Sequence, residues 1–200
     1  MTEERTGDVI VPGERVYLGQ IRTDLAPVYR RWVNDLNIAS TLAIIADVGL
    51  PMTDEDETDW LEAVRKDNNQ VMFTIYEQGT GTPVGNTGLS GVRSPNRSAE
   101  FGLVIGERTA HGKGYGTEAT KLILDYGFTM LGLHHIWLKH VAFNKAGHRV
   151  YEKVGFSEAG RLRESWQYAG QQYDVMIMDI LASEFESPVL LDLLDIPAKD

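Results

Sequence analysis

The sequence predicts an α+β domain with a mixed, mainly antiparallel central sheet flanked by helices. Two helical patterns occupy residues 24–66, and β-rich segments follow from residue 71. The chain then alternates strand, helix, strand, helix before two last strands. Residues 1–13 run to Pro12-Gly13 and are expected as a flexible lead-in. Residues 14–182 are expected as the single domain, and residues 183–200 as a tail carrying Pro188, Leu190, Leu191, Leu193 and Leu194, either a docking segment or a disordered one. Residues 15–18 suit a first strand. Asp24 suits a helix N-cap with Pro27 in the first turn, and Val28, Trp32, Val33 and Leu36 recur at helical spacing. Residues 39–52 are apolar without a period, and Gly49 and Pro51 break them into a loop. Thr53 opens a capping signature ahead of Trp60, Leu61 and Val64. Residues 71–76 and 84–92 read as a hairpin, and 99–105 as the next strand. A helix from Thr117 puts Ala119, Leu122, Ile123, Tyr126 and Met130 on one face and stops at Gly132. Residues 136–141 are a strand. Asn144 caps a helix with Ala146, Val150, Tyr151 and Val154, ended by Gly155. Residues 161–168 and 172–181, parted by Gly170, complete the pattern.

Composition narrows the function. Apolar residues are 42% and charged residues 24% of 200, a globular balance. The 29 acidic and 19 basic residues give a formal charge of −10, which argues against a phosphate-tracking surface and hence against a nucleic-acid partner. It mildly favours a cationic small-molecule partner. With zero cysteines, disulfides, thiolate metal sites and a Cys nucleophile are excluded. Apolar runs fall far short of the ~20 residues of a membrane span. The N-terminus has neither a basic start nor an apolar stretch, so a cytoplasmic location is expected, with no membrane partner. His134 and His135 are adjacent and would face opposite ways on a strand, and His140 and His148 lack a spaced partner. No metal site is expected. The sequence leaves a homodimer open and gives no oligomeric state.

The most informative stretch is the glycine run His111-Gly112-Lys113-Gly114-Tyr115-Gly116-Thr117-Glu118-Ala119, which follows a strand and opens a helix. Main-chain N–H groups at such a turn have no intrahelical partner. With the positive end of the helix dipole they form an anion site, usually for phosphate. A Walker loop needs four residues between its glycines and Ser or Thr after its Lys. Here five residues separate Gly106 from Gly112, and Gly114 follows Lys113. A dinucleotide fingerprint needs a third glycine where Thr117 stands. A kinase or dehydrogenase is therefore disfavoured, and a plain flexible loop is the remaining alternative.

That run resembles the acetyl-coenzyme A pyrophosphate loop of the GNAT N-acetyltransferase superfamily. Downstream, Asn144-Lys145-Ala146-Gly147-His148-Arg149-Val150-Tyr151-Glu152-Lys153-Val154-Gly155-Phe156 is similar to the family's second signature of Asn, Ala and Tyr-x-Lys-x-Gly-Phe. The resemblance covers roughly residues 71–181. It is strongest to the branch holding ribosomal-protein alanine N-acetyltransferases and spermidine acetyltransferases. One departure is His111, where many relatives carry Gln or Arg.

The resemblance implies a GNAT-like fold and transfer of acetyl from acetyl-coenzyme A to a primary amine: a peptide α-amine, a polyamine or an aminosugar-like molecule. With no Cys to carry the acetyl, direct attack in a ternary complex is expected. The resemblance further implies that Leu103, Val104 and Ile105 bond the pantetheine through their backbone. It assigns the pyrophosphate to His111, Gly112, Lys113, Gly114, Gly116 and Thr117, with Asn144 as a helix cap, a coenzyme contact or both. Tyr151 matches the family's general acid. A phenol of pKa ~10 is protonated at neutral pH and can donate to a departing thiolate of pKa ~8.5. Glu100 is the candidate base, acting directly or through a water chain. An α-amine near pKa ~8 needs little help from a base, and a lysine-like amine near ~10.4 needs more. Tyr151 as a core aromatic and Glu100 as a solvated strand carboxylate are the structural alternatives. Glu118 in the first helical turn reads as structural, and the acidic group Asp54, Glu55, Asp56, Glu57 and Asp59 as a charged first turn. A non-catalytic coenzyme A-binding sensor is the rival function.

Overall fold

A computed structural model describes residues 9–42 and 51–194. Residues 1–8 and 195–200, and most of the 39–52 loop, lie outside these residues. Eight strands form one sheet: β1 (Val9–Val11), β2 (Val16–Gln20), β3 (Gln70–Glu77), β4 (Pro83–Ser90), β5 (Ser98–Ile105), β6 (His135–Val141), β7 (Ser157–Tyr168) and β8 (Gln171–Leu181). Their spatial order is β1-β2-β3-β4-β5-β6-β8-β7. Every pairing is antiparallel except β5 with β6, whose ends are joined by a crossover helix, as parallel neighbours require. The expected mixed, mainly antiparallel sheet is the observed one.

The helices are α1 (Ala26–Val33), α2 (Leu36–Ala39), α3 (Asp54–Lys66), α4 (Tyr115–Asp125), α5 (Lys145–Val154) and α6 (Leu190–Leu193). They divide between the sheet's two faces. On one face, Ala119, Leu122 and Ile123 of α4 join Leu18, Ile75, Leu89 and Ile136 in the main core. On the other, Tyr29 and Trp32 of α1 pack with Leu61 of α3 in a smaller cluster. The hydroxyls of Tyr29 and Thr74 share a buried hydrogen bond that ties α1 to β3. Thr53 caps α3 reciprocally with Asp56, as its signature predicts.

Three details differ from expectation, and a fourth decides between two readings left open. Val9–Val11, inside the predicted lead-in, pair with β2 as an edge strand, and Val11 is buried in the core. Asp24 does not cap α1. A 3₁₀ turn (Thr23–Leu25) precedes the helix, and the Arg22 guanidinium holds the Asp24 carboxylate instead. Met130 turns out to solvent because a π-helical turn (Tyr126–Met130) follows α4 and rotates the apolar face. The inner part of the tail is docked. Leu190 is buried, and the N–H groups of Val189 and Leu190 both donate to Asp125 at the end of α4. No helix among the described residues is long and apolar enough to cross a membrane.

Candidate active site

The sheet is split. β5 pairs with β4 along most of its length, from Glu100 to Ile105, but with β6 only from Ser98 to Glu100, opposite His135 to Trp137. Beyond Glu100 the two strands part, so the β6-side main-chain groups of residues 101–105 have no strand partner among the described residues. The split closes at Glu100 and opens at Ile105, roughly 16 Å away at the ~3.3 Å rise of a strand. Alternation sends neighbouring side chains to opposite faces. Phe101 packs edge-on to the Tyr151 ring of α5, and Leu103 and Ile105 border Gly116 of α4. Glu100 and Val104 face the α1–α3 side.

At the open end lies the glycine loop. His111 turns back, and its Nε2 sits 2.8 Å from the Ile105 carbonyl. The imidazole therefore fastens the loop to β5 rather than reaching outward. Gly112 and Gly114 take left-handed backbones, with φ of 75° and 85°, which glycine adopts without strain. Among the described residues no hydrogen bond engages the N–H groups of Gly112, Lys113, Gly114, Gly116 or Thr117. With α4 beginning at Tyr115, these donors and the helix dipole make a concave anion cradle. The cradle fits a diphosphate. The Lys113 side chain is turned aside, with Nζ 3.6 Å from Glu77 Oε1 and its carbonyl accepting from Arg15. Only its amide is offered to the cradle. Glu118 receives the N–H groups of Glu14 and Arg15, a structural role that anchors β2 to α4.

At the closed end, Tyr151 stands on the α5 face against Phe101, Phe156 and His140. Burial pushes its phenol up to about 12, so it is a hydrogen-bond donor throughout the neutral range. His140 and His148 do have a partner: each other. His140 is buried, and its Nδ1 lies 3.0 Å from the Val141 carbonyl. That oxygen can only accept, so the proton is on Nδ1. His140 Nε2 then accepts from His148 Nδ1 at 3.1 Å. His148 Nε2 lies 3.4 Å from Glu152 Oε1 on the surface. Burial, with His148 and Lys145 nearby, lowers the His140 pKa. Asn144 Oδ1 accepts from the Gly147 N–H at 2.9 Å and so caps α5. A Cβ on residue 147 would meet that carboxamide at 2.8 Å, which accounts for the glycine.

On the opposite face, Glu100 is paired with Lys139 of β6, Nζ to Oε1 at 3.3 Å. Beside it a second cross-strand chain runs from Ser98 to His135 to Asp179. Further out, Trp32 Nε1 donates to Glu107, and a Cβ at Gly106 would fall within 2.1 Å of the indole. Glu57, read as part of a charged first turn, is instead buried on the inner side of α3, one turn before Leu61. Burial pushes its pKa up to about 7. The Asn86 Oδ1 atom is buried without a hydrogen-bond partner, in cross-strand register with Thr74 and Val104. Lys139 is not singled out by the sequence, and Glu57 and the histidine pair are named there without the burial and the mutual contact that the structure gives them. Glu57 sits four residues before Leu61 and seven before Val64, a spacing that could have placed it inside. Cross-strand pairs such as Glu100 with Lys139 carry no linear signal. Among the described residues no three His, Asp or Glu side chains converge as metal ligands.

Comparison with known proteins yields a consistent match. The family model described as acetyltransferase (GNAT) domain matches residues 15–157. The chain is 34% identical over 119 residues to the spermidine N(1)-acetyltransferase of Vibrio cholerae, covering 60% of this chain and 68% of that protein. The crystal structure of spermidine N-acetyltransferase from Vibrio cholerae in complex with CoA and spermine aligns with a TM-score of 0.78 at 26% identity. That alignment covers 86% of this chain and 98% of that one. An acetyltransferase structure from Bacillus anthracis shares the fold, with a TM-score of 0.74 at 21% identity, over 87% of this chain and 99% of that one.

Proposed function

The chain belongs to the GNAT acetyltransferase family, and from that premise we propose that it acetylates a cationic, polyamine-like primary amine from acetyl-coenzyme A by direct attack. The observation that carries this reading is the closed end of the split. A donor, Tyr151, and a carboxylate, Glu100, approach it from opposite faces, and an anion cradle lies at the other end of the same strand. A carrier held by its diphosphate at residues 112–117 and laid along residues 103–105 presents its acyl end near Glu100 and Phe101. An extended, amide-bearing arm suits a strand edge that has main-chain groups to spare.

Acetyl-coenzyme A supplies the activated acyl group. The free amides of the loop hold the diphosphate, and the parted edge of β5 aligns the arm and offers N–H groups to the developing oxyanion. Glu100 takes a proton from the incoming ammonium. Tyr151 hydrogen-bonds to the departing sulfur. Full transfer from a phenol near 12 to a free thiolate of ~8.5 is uphill by about three orders of magnitude. The phenol therefore donates in step with loss of the N–H proton from the adduct. Asn144 fixes the start of α5 and so the position of Tyr151.

Three observations support a cationic acceptor. An ammonium, that of Lys139, already rests on Glu100. The chain carries a formal charge of −10, and its 34%-identical Vibrio cholerae relative is a spermidine acetyltransferase. The test is an acceptor panel of polyamines, aminosugars and amino-terminal peptides read out by free thiol. Polyamines are expected to turn over fastest. Coenzyme A binding with no thiol release on any amine would favour a sensor and overturn the reading.

A further inference from the structure

Lys139 occupies an unusual place. Its Nζ is 3.3 Å from Glu100 Oε1, and it rises from β6 two residues past Trp137, where β5 and β6 have just parted. Glu100 is the last β5 residue still paired with β6. Other lysines with ion pairs lie elsewhere: Lys113 sits on Glu77 at the loop, and Lys66 on Glu62 along α3. Lys139 is thus a primary amine held against the candidate base, at the closed end of the split. It lies on the face opposite Tyr151, since Glu100 and Phe101 point to opposite sides of β5. An amine already in place has the advantage of an intramolecular reactant, which is large when the reacting atoms approach ~3–3.5 Å.

We propose that Lys139 is itself acetylated by the protein when acetyl-coenzyme A is bound and no acceptor is present. The inference rests on the reading that the thioester lies at the closed end of the split. The ammonium proton of Lys139 passes to Glu100 and on to solvent. The neutral Nζ forms a bond to the acetyl carbon, and the carbon–sulfur bond breaks. The sulfur takes a proton from Tyr151, the adduct nitrogen loses its surplus proton to Glu100 and on to solvent, and the phenolate regains one from solvent. The products are an Nζ-acetyl amide and free coenzyme A thiol. The amide carries no charge, so the Glu100 ion pair is lost and the carboxylate is released for an incoming ammonium.

The experiment incubates the full chain with acetyl-coenzyme A and no amine, followed by intact mass and peptide mapping. One acetyl group per chain is expected, on Lys139. Lys139→Arg keeps the ion pair, releases thiol with an added polyamine, and gains no acetyl group at this position. Glu100→Gln labels Lys139 about a hundredfold more slowly. A chain that acetylates the added amine yet leaves Lys139 unlabelled overturns this inference and leaves the proposed function standing. So does label on Lys139, itself an exposed lysine, that forms no faster than on the other exposed lysines, or at an unchanged rate in Glu100→Gln. A chain that neither binds coenzyme A nor releases thiol overturns both.

Discussion

On the α4–α5 face of the split sheet, the groups proposed to bind belong to the main chain: loop amides beside the left-handed Gly112 and Gly114, and a strand edge parted from its neighbour. On the α1–α3 face, side chains meet one another: Glu100 with Lys139, Trp32 with Glu107, and Glu57 buried beside the α1–α3 packing. The difference follows from the ligands. A diphosphate, the ligand proposed for the first face, asks for a cradle of N–H groups, and glycine at fixed spacing supplies one. An acceptor amine asks only for complementary charge and shape, which many residue sets can supply.

The sharpest way to break this contrast is Tyr151→Phe, which removes one oxygen from the coenzyme side. Turnover is expected to fall by about 10²–10⁴-fold with coenzyme A affinity held within a factor of about three, by steady-state kinetics and direct binding. Unchanged turnover would remove Tyr151 from its role. Next comes Gly114→Ala. Its φ of 85° costs an L residue about 1–2 kcal/mol, and the new Cβ would lie 2.7 Å from Arg15 Nη1. Coenzyme A affinity should drop by roughly tenfold or more, with the acceptor KM unmoved in titrations at saturating coenzyme.

Two buried titratable groups, one on each face, give opposite pH slopes. Glu57 has its pKa raised from 4.5 to about 7 by burial, so the folded chain binds the extra proton between those values. Its contribution to stability is intact below 4.5 and is lost as pH rises through about 7. Glu57→Gln should therefore raise Tm at pH 8 and leave it unchanged at pH 4.5. His140 has its pKa lowered from 6.5, so the unfolded chain binds the extra proton. Its contribution is intact above 6.5 and is lost as pH falls below that value. His140→Gln should flatten the acid limb of a Tm against pH series, and an unaltered limb would mean that the ring is not buried as a neutral group. The smallest effect is Trp32→Phe. It keeps an aromatic ring against Gly106, loses the hydrogen bond to Glu107, and should cost about 1 kcal/mol in denaturant unfolding.

Legibility in the sequence followed the same contrast. Gly112 to Thr117 and Asn144 to Phe156 announced the coenzyme half, because backbone geometry pins glycine and the cap residue to positions along the chain. The succession of strands along the chain also followed from pattern, with only the short β1 hidden in the lead-in, whereas their spatial order carried no linear signal. The acceptor half stayed opaque. Lys139 meets Glu100 from 39 residues away and His140 meets His148 across a strand end, so neither pair leaves a local period. Glu57 wore the charge of an exposed first turn while facing inward. Asp24 lost its cap role to Arg22, a competitor two residues away that propensity alone does not weigh.

The grip of Asp125 on Val189 and Leu190 reaches further than the tail itself. Asp125 closes the helix whose opposite tip, some 16 Å distant at ~1.5 Å per residue, carries the glycine cradle. The last described turn is thus fastened to the far end of the element that carries the loop. Trimming the chain just ahead of Val189 would spare every loop residue and still slacken their hold, and weaker coenzyme A retention by the shortened protein would register that remote leverage.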